Sequence, residues 1–143
     1  MPVIEGARKL SASDPGMGQR KIAVGLYDFA TDGGAVGDIT LRGNSIPSGA
    51  IIVDALLHVD TALAGATATC AIKTEAAADI NAADAVSGAP WSTTGAKRAD
   101  FTATSAPIKT TAARSIVATV ATAALTAGRF KVYVWYVEFE AEV

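Results

Sequence analysis

The longest alternating run in the chain is its last, Gly128 to Glu140. Phe130, Val132, Val134 and Tyr136 fall on one side of an extended backbone and Tyr133, Trp135, Val137 and Phe139 on the other, because strand side chains alternate with period two. Both sides are apolar. A strand with one face in water carries polar residues there, so this pattern predicts a strand covered twice, by its own core and by a second layer or a second subunit. The central strand of a sandwich is the simpler reading. The sharper one makes Tyr133, Trp135, Val137 and Phe139 an oligomer interface, since aromatic residues are enriched in interface cores.

Upstream, the same period recurs in shorter pieces. Arg20 to Phe29 places Ile22, Val24 and Leu26 on one face and Tyr27 and Phe29 on the other; Val36 to Arg42 follows as a short strand. From Ala50 to Asp60 the positions Ile51, Val53, Ala55, Leu57 and Val59 form an unbroken apolar face, opposite Ile52, Asp54, Leu56, His58 and Asp60, the signature of a half-buried strand. Ala66 to Thr74 alternates again, with Cys70 in register with Ala68 and Ile72. Glu75 to Ser87 has only Ile80 and Val86 as large apolar residues, too little to anchor a helix, and reads as an irregular excursion with at most one helical turn. A strand is expected around Phe101. Thr110 to Leu125 fits either period, and its β-branched content decides for strand. Thr126-Ala127-Gly128 then turns it back into the last strand, an antiparallel hairpin.

Met1 to Gln19 mixes Pro, Gly and Ser with Val3, Ile4 and Leu10 and shows no period, as an arm does. The fold class expected is therefore all-β: a single-domain antiparallel β-sandwich or jelly roll over residues 20–143, with a flexible N-terminal arm at residues 1–19.

Bulk properties narrow this only a little. At 143 residues one domain buries roughly two-thirds of its unfolded surface and needs no disulfide or metal. Charged residues are 18%, below the usual figure of about 25%, but much of the apolar excess is alanine, which supports an oligomer weakly. Net charge is −2, and cations cluster no further than the pairs Arg8-Lys9, Arg20-Lys21 and Lys97-Arg98, which excludes a nucleic-acid partner. There is no charged region leading into an apolar stretch and no apolar run of about 20 residues, so the expectation is a soluble protein with no membrane partner and no recognisable export route.

Candidate chemistry is sparse. His58, the only histidine, has Asp54 and Asp60 on its own strand face, which raises an acid–base or metal site; a solvated or subunit-facing surface has the same pattern. Asp28, Asp32 and Asp38 surround Gly33-Gly34 without the ligand spacing of a calcium loop, and turn chemistry accounts for them. Trp91, in a Pro/Ser/Thr/Gly loop, either stacks a sugar or caps the open end of a core. Cys70 reads as a small buried hydrophobe. With no phosphate loop, ligand spacing or nucleophile elbow, no catalytic, cofactor or metal residue is assigned and the protein is not expected to be an enzyme.

Three stretches carry a resemblance: Ile46 to Ile52; Ala78 to Ser87 leading to Pro90-Trp91; and Thr110 to Leu125 closed by Thr126 to Phe130 before Val132-Tyr133-Val134. Together they resemble small head proteins of tailed bacteriophages, the capsid decoration or cement proteins, over roughly Ile46 to Val137. The resemblance implies a non-enzymatic virion protein that binds the outer capsid surface where subunits of the major capsid protein meet. It further implies a homo-oligomer, a trimer, that stabilises the head after assembly in the host cytoplasm. Val3, Ile4 and Leu10 are then candidates for contact with the capsid. The alternative is a tail- or fibre-associated receptor or glycan-binding module using Trp91, Tyr133 or Trp135, with a small carboxylate-based hydrolase third.

Overall fold

The last strand, β10 (Ala127–Glu138), pairs on one side with β1 (Lys21–Asp28) and on the other with β4 (Ala50–Ala64), both antiparallel. In this computed structural model, which describes residues 19–101 and 106–138, β10 is the centre of a six-stranded sheet. β3 (Arg42–Gly43) pairs with β1, while β7 (Gly95–Arg98) and β8 (Ile108–Lys109) share the far edge of β4. A second antiparallel sheet has the order β2 (Gly37–Thr40), β9 (Val117–Ala121), β5 (Thr69–Lys73), β6 (Asn81–Ala85). One core lies between them: Ala23, Tyr27, Leu57, Val59, Phe130, Val132 and Val134 from the larger sheet meet Cys70, Ile72, Ala118 and Val120 from the smaller. The all-β antiparallel sandwich expected from the alternation is the fold observed. Val3, Ile4, Leu10 and Phe139 lie outside the described residues.

Several local expectations need correction. Glu75 to Ser87 contains β6; of the strand expected over Ala99 to Ile108 around Phe101, Ala99 to Phe101 lie in no strand and Phe101 has φ +46°, residues 102–105 lie outside the described residues, and β8 begins at Ile108. The expected C-terminal hairpin does not form, because β9 and β10 belong to different sheets. Between them the chain crosses the end of the sandwich. Leu125 is buried there, its N–H donating to Gly34 O (2.8 Å) and the Thr126 N–H to Ala64 O (2.7 Å).

The apolar face of β4 is also interrupted. Trp135 faces Asp54 but Tyr136 faces Ile52, which leaves Val53 as an extra residue, a β-bulge. Ala55, Leu57 and Val59 stay in the core, whereas beyond the bulge Ala50 and Ile52 take the core positions and Val53 turns out, 40% exposed. On β1 the core side is Ala23, Gly25 and Tyr27, so Ile22, Val24 and Leu26 face outward. Gly25 is small for a reason: a Cβ there would come within 3.0 Å of Leu41 Cβ and 3.2 Å of Ile116 Cβ.

Loops on the smaller sheet are tied by charge. Glu75 accepts from Arg114 Nε (2.8 Å), Thr111 Oγ1 (2.7 Å) and the Thr111 N–H (3.1 Å). The Arg114 guanidinium first, then the Thr111 hydroxyl and amide, hold its carboxyl down from 4.5 to about 2. A carboxyl depressed in the folded state stabilises fully above its ordinary value and loses that contribution as pH falls toward the folded value. Between pH 4.5 and about 2 the wild-type urea midpoint should therefore fall more steeply than that of Glu75→Gln. Parallel midpoints across that window would show that Glu75 is not coupled to folding.

Candidate assembly surface

Because the core takes one side of each strand, the opposite residues of the six-stranded sheet form its outer face, and the register aligns them in rows. Ile22, Trp135 and Asp54 make the first; Val24, Tyr133, Leu56 and Arg98 the second; Arg42, Leu26, Lys131, His58 and Ala96 the third. Ile22 is 42% exposed, and across Trp135 the bulge adds Val53 next to Asp54, so a single register shift enlarges the apolar patch. The Tyr133 and Trp135 rings, half-buried at its centre, lie 6.2 Å apart at 31°.

Val137 continues their side of β10 but is already covered, 6% exposed without joining the core cluster. Of the three described interface candidates, Tyr133, Trp135 and Val137, it has the least surface left for a neighbour. Tyr133 and Trp135 retain theirs, together with Ile22, Val24, Leu56 and Val53, which sequence periodicity alone did not assign to this face.

Charges ring the patch in opposite pairs: Lys21 Nζ to Glu138 Oε1 (2.7 Å), Arg98 Nη1 to Asp54 Oδ1 (3.8 Å), Lys131 Nζ to Asp60 Oδ2 (3.7 Å) and Arg42 Nε to Asp32 Oδ1 (3.0 Å). Exposed pairs of this kind are screened by water and add little to folding. Their larger effect is to leave the face nearly neutral, with an aromatic centre and a polar rim, the anatomy of a protein–protein interface. The open edge of β1 beside it is blunted by Asn44, whose Oδ1 accepts from the Val24 N–H (2.9 Å) and whose Nδ2 donates to Ile22 O (3.2 Å), replacing a neighbouring strand.

The other sequence candidates separate. His58 Nδ1 lies 3.0 Å from Asp60 Oδ1 but off the hydrogen-bonding direction. Asp54 is turned to the Ala55 N–H (2.8 Å) and Arg98. Asp28 accepts from the Ala30 N–H (3.0 Å) and caps the single helical turn α1 (Phe29–Asp32), Asp32 bonds Arg42, and Asp38 bonds Lys73 (2.7 Å) and Thr119 (2.8 Å), so the three acids diverge. Trp91 is 0% exposed, closed to a sugar, and caps the core as one of its two readings expected. Cys70 is buried, and burial pushes its thiol up to about 12, where it is chemically inert.

No protein-family model and no curated protein matches this chain. Solved structures do. One chain of the acidic stable capsid structure of Helicobacter pylori bacteriophage KHP30 superposes with TM-score 0.60 at 16% identity, over 87% of this chain and 92% of that one. One chain of the cyanophage Pam1 capsid asymmetric unit superposes with TM-score 0.62 at 22% identity, over 96% and 97%. What is shared is the fold.

Proposed function

We propose that this protein is a non-enzymatic structural component of a bacteriophage virion, which binds the outer surface of the capsid as an oligomer and stabilises the head. The observation that carries this is the correspondence of 96% of the chain with 97% of a chain in the Pam1 capsid asymmetric unit. The outer sheet face supports the oligomer. An aromatic side chain buries about 150–250 Å² when fully covered, at roughly 25 cal/mol per Å², so covering the part of Tyr133 and Trp135 still exposed, about a third of each at most, is worth up to about 3 kcal/mol per subunit. A trimer is the form proposed, since three shell-binding segments on one particle raise the effective concentration of the second and third once the first has bound. Val3, Ile4 and Leu10 are the residues proposed to contact the major capsid protein, with the virion exterior as destination and the host cytoplasm as the place of assembly.

The test is to mix purified protein with shells prepared without it. Saturable cosedimentation and greater resistance of the shells to heat are expected. By light scattering at micromolar concentration the wild type should run as an oligomer and Trp135→Lys near the single-chain mass of 14.5 kDa. Wild-type protein that neither sediments with shells nor exceeds that mass overturns the reading.

A further inference from the structure

We infer that, in the oligomer, the segment Phe139 to Val143 of one subunit docks in a groove at the far end of its neighbour's outer sheet face, anchored by Arg129. This rests on the oligomer reading above. The groove, about 340 Å³, is lined by Leu26, Asp28, Arg42, Asp60, Arg129 and Lys131 among others. Most of its charges are engaged: Arg42 with Asp32, Lys131 with Asp60, and Asp28 with the Ala30 N–H. Arg129 is different. It is exposed, and among the described residues no carboxylate lies within ion-pair distance of it. A free guanidinium at the wall of a groove is a fork for a carboxylate.

The chain supplies a segment of matching chemistry. After Glu138 it runs Phe139-Glu140-Ala141-Glu142-Val143. In extended form this puts Phe139, Ala141 and Val143 on one side and Glu140 and Glu142 on the other, an apolar edge for the Leu26 floor and an acidic edge for the Arg129 wall. A subunit does not reach its own groove. The seven steps along β10 from Lys131 to Glu138 cover about 23 Å, at about 3.3 Å each. Five residues span at most about 17 Å and would have to reverse direction. The segment leaves from the Lys21–Glu138 end of the face and the groove lies at the Asp28–Arg129 end. Docking therefore joins unlike ends of two copies, a head-to-tail contact that builds a closed ring when the rotation closes.

The experiment uses the full chain with three changes: Arg129→Glu, the pair Glu140→Lys with Glu142→Lys, and all three combined. Folding is checked by circular dichroism, and Arg129→Gln serves in place of Arg129→Glu should that variant not fold. Sedimentation equilibrium should show the oligomer's dissociation concentration raised about tenfold or more by either single reversal, because each places like charges together or removes the pair. The combined reversal should recover much of the loss. An oligomer indifferent to both reversals overturns the docking and leaves the oligomer standing. Losses without recovery in the combined variant overturn the Arg129 pairing, and a monomeric wild type overturns both readings.

Discussion

Replacing Trp91 by alanine should lower the unfolding free energy by about 3–5 kcal/mol, the range for a fully buried Trp or Phe cut to Ala. That is a large share of the roughly 5–15 kcal/mol available to a domain. The position explains the size of the effect. Trp91 is 0% exposed, its ring centroid lies 4.9 Å from that of Phe130 on β10, and its Nε1–H donates to Cys70 O on β5 (3.1 Å), so one side chain touches both sheets. Its own carbonyl accepts the Leu63 N–H (3.0 Å) near the end of β4. Trp91→Phe keeps most of the packing but removes the donor to Cys70 O, for a smaller loss of about 1–3 kcal/mol. Urea denaturation followed by far-ultraviolet circular dichroism measures both. A loss under about 1 kcal/mol for the alanine variant would mean that the sandwich end closes without Trp91.

Asp79→Ala should cost about 2–4 kcal/mol, more than an ordinary polar substitution, since hydrogen bonds to a charged group are worth about 1.5–3 kcal/mol net. Asp79 is 8% exposed, and its carboxylate accepts from the Thr74 N–H (2.8 Å), Thr74 Oγ1 (3.2 Å), the Glu75 N–H (2.9 Å) and the Ala76 N–H (2.9 Å). Removing it strands three backbone donors at once in the turn that leads from β5 into β6. Ala78 holds φ +53° in that turn, a conformation costly for a residue with a Cβ and held by the surrounding bonds. Asp79→Asn retains an acceptor and should lose about half as much. The measurement is again the urea midpoint. Equal stability of Asp79→Ala and wild type would show that water satisfies those amides as well as the carboxylate does.

Alternation in the chain was enough to establish an all-β antiparallel sandwich and to locate its main strands. Period two is a local property, set by the geometry of one backbone, so β10, β1, β4 and β5 were legible with their boundaries nearly in place. The burial of Cys70, in register with Ala68 and Ile72, followed the same logic, whereas Trp91 sits in a loop and its core role was one of two readings until the packed sheets closed over it. What lay beyond the sequence depended on pairing between distant segments. β9 and β10 looked like a hairpin because a short Gly-containing turn joins them, yet burying Leu125 at the sandwich end sends them to different sheets. β6 was hidden because its alanines have almost no strand preference of their own, and its pairing with β5 decides its form. The candidate surface shows the division most clearly. Tyr133 and Trp135 were marked by their own alternation, but Ile22, Val24 and Leu26 became surface because Ala23, Gly25 and Tyr27 take the core side, where Leu41 and Ile116 pack close against Gly25. Val53 joined them only because β4 carries one residue more than β10 at the bulge. The sequence by itself determined which of the longer segments are extended and which residues alternate along them; the tertiary structure alone decided the form of β6 and which side of each strand meets the core, since those choices belong to the packed pair of sheets and to no single strand.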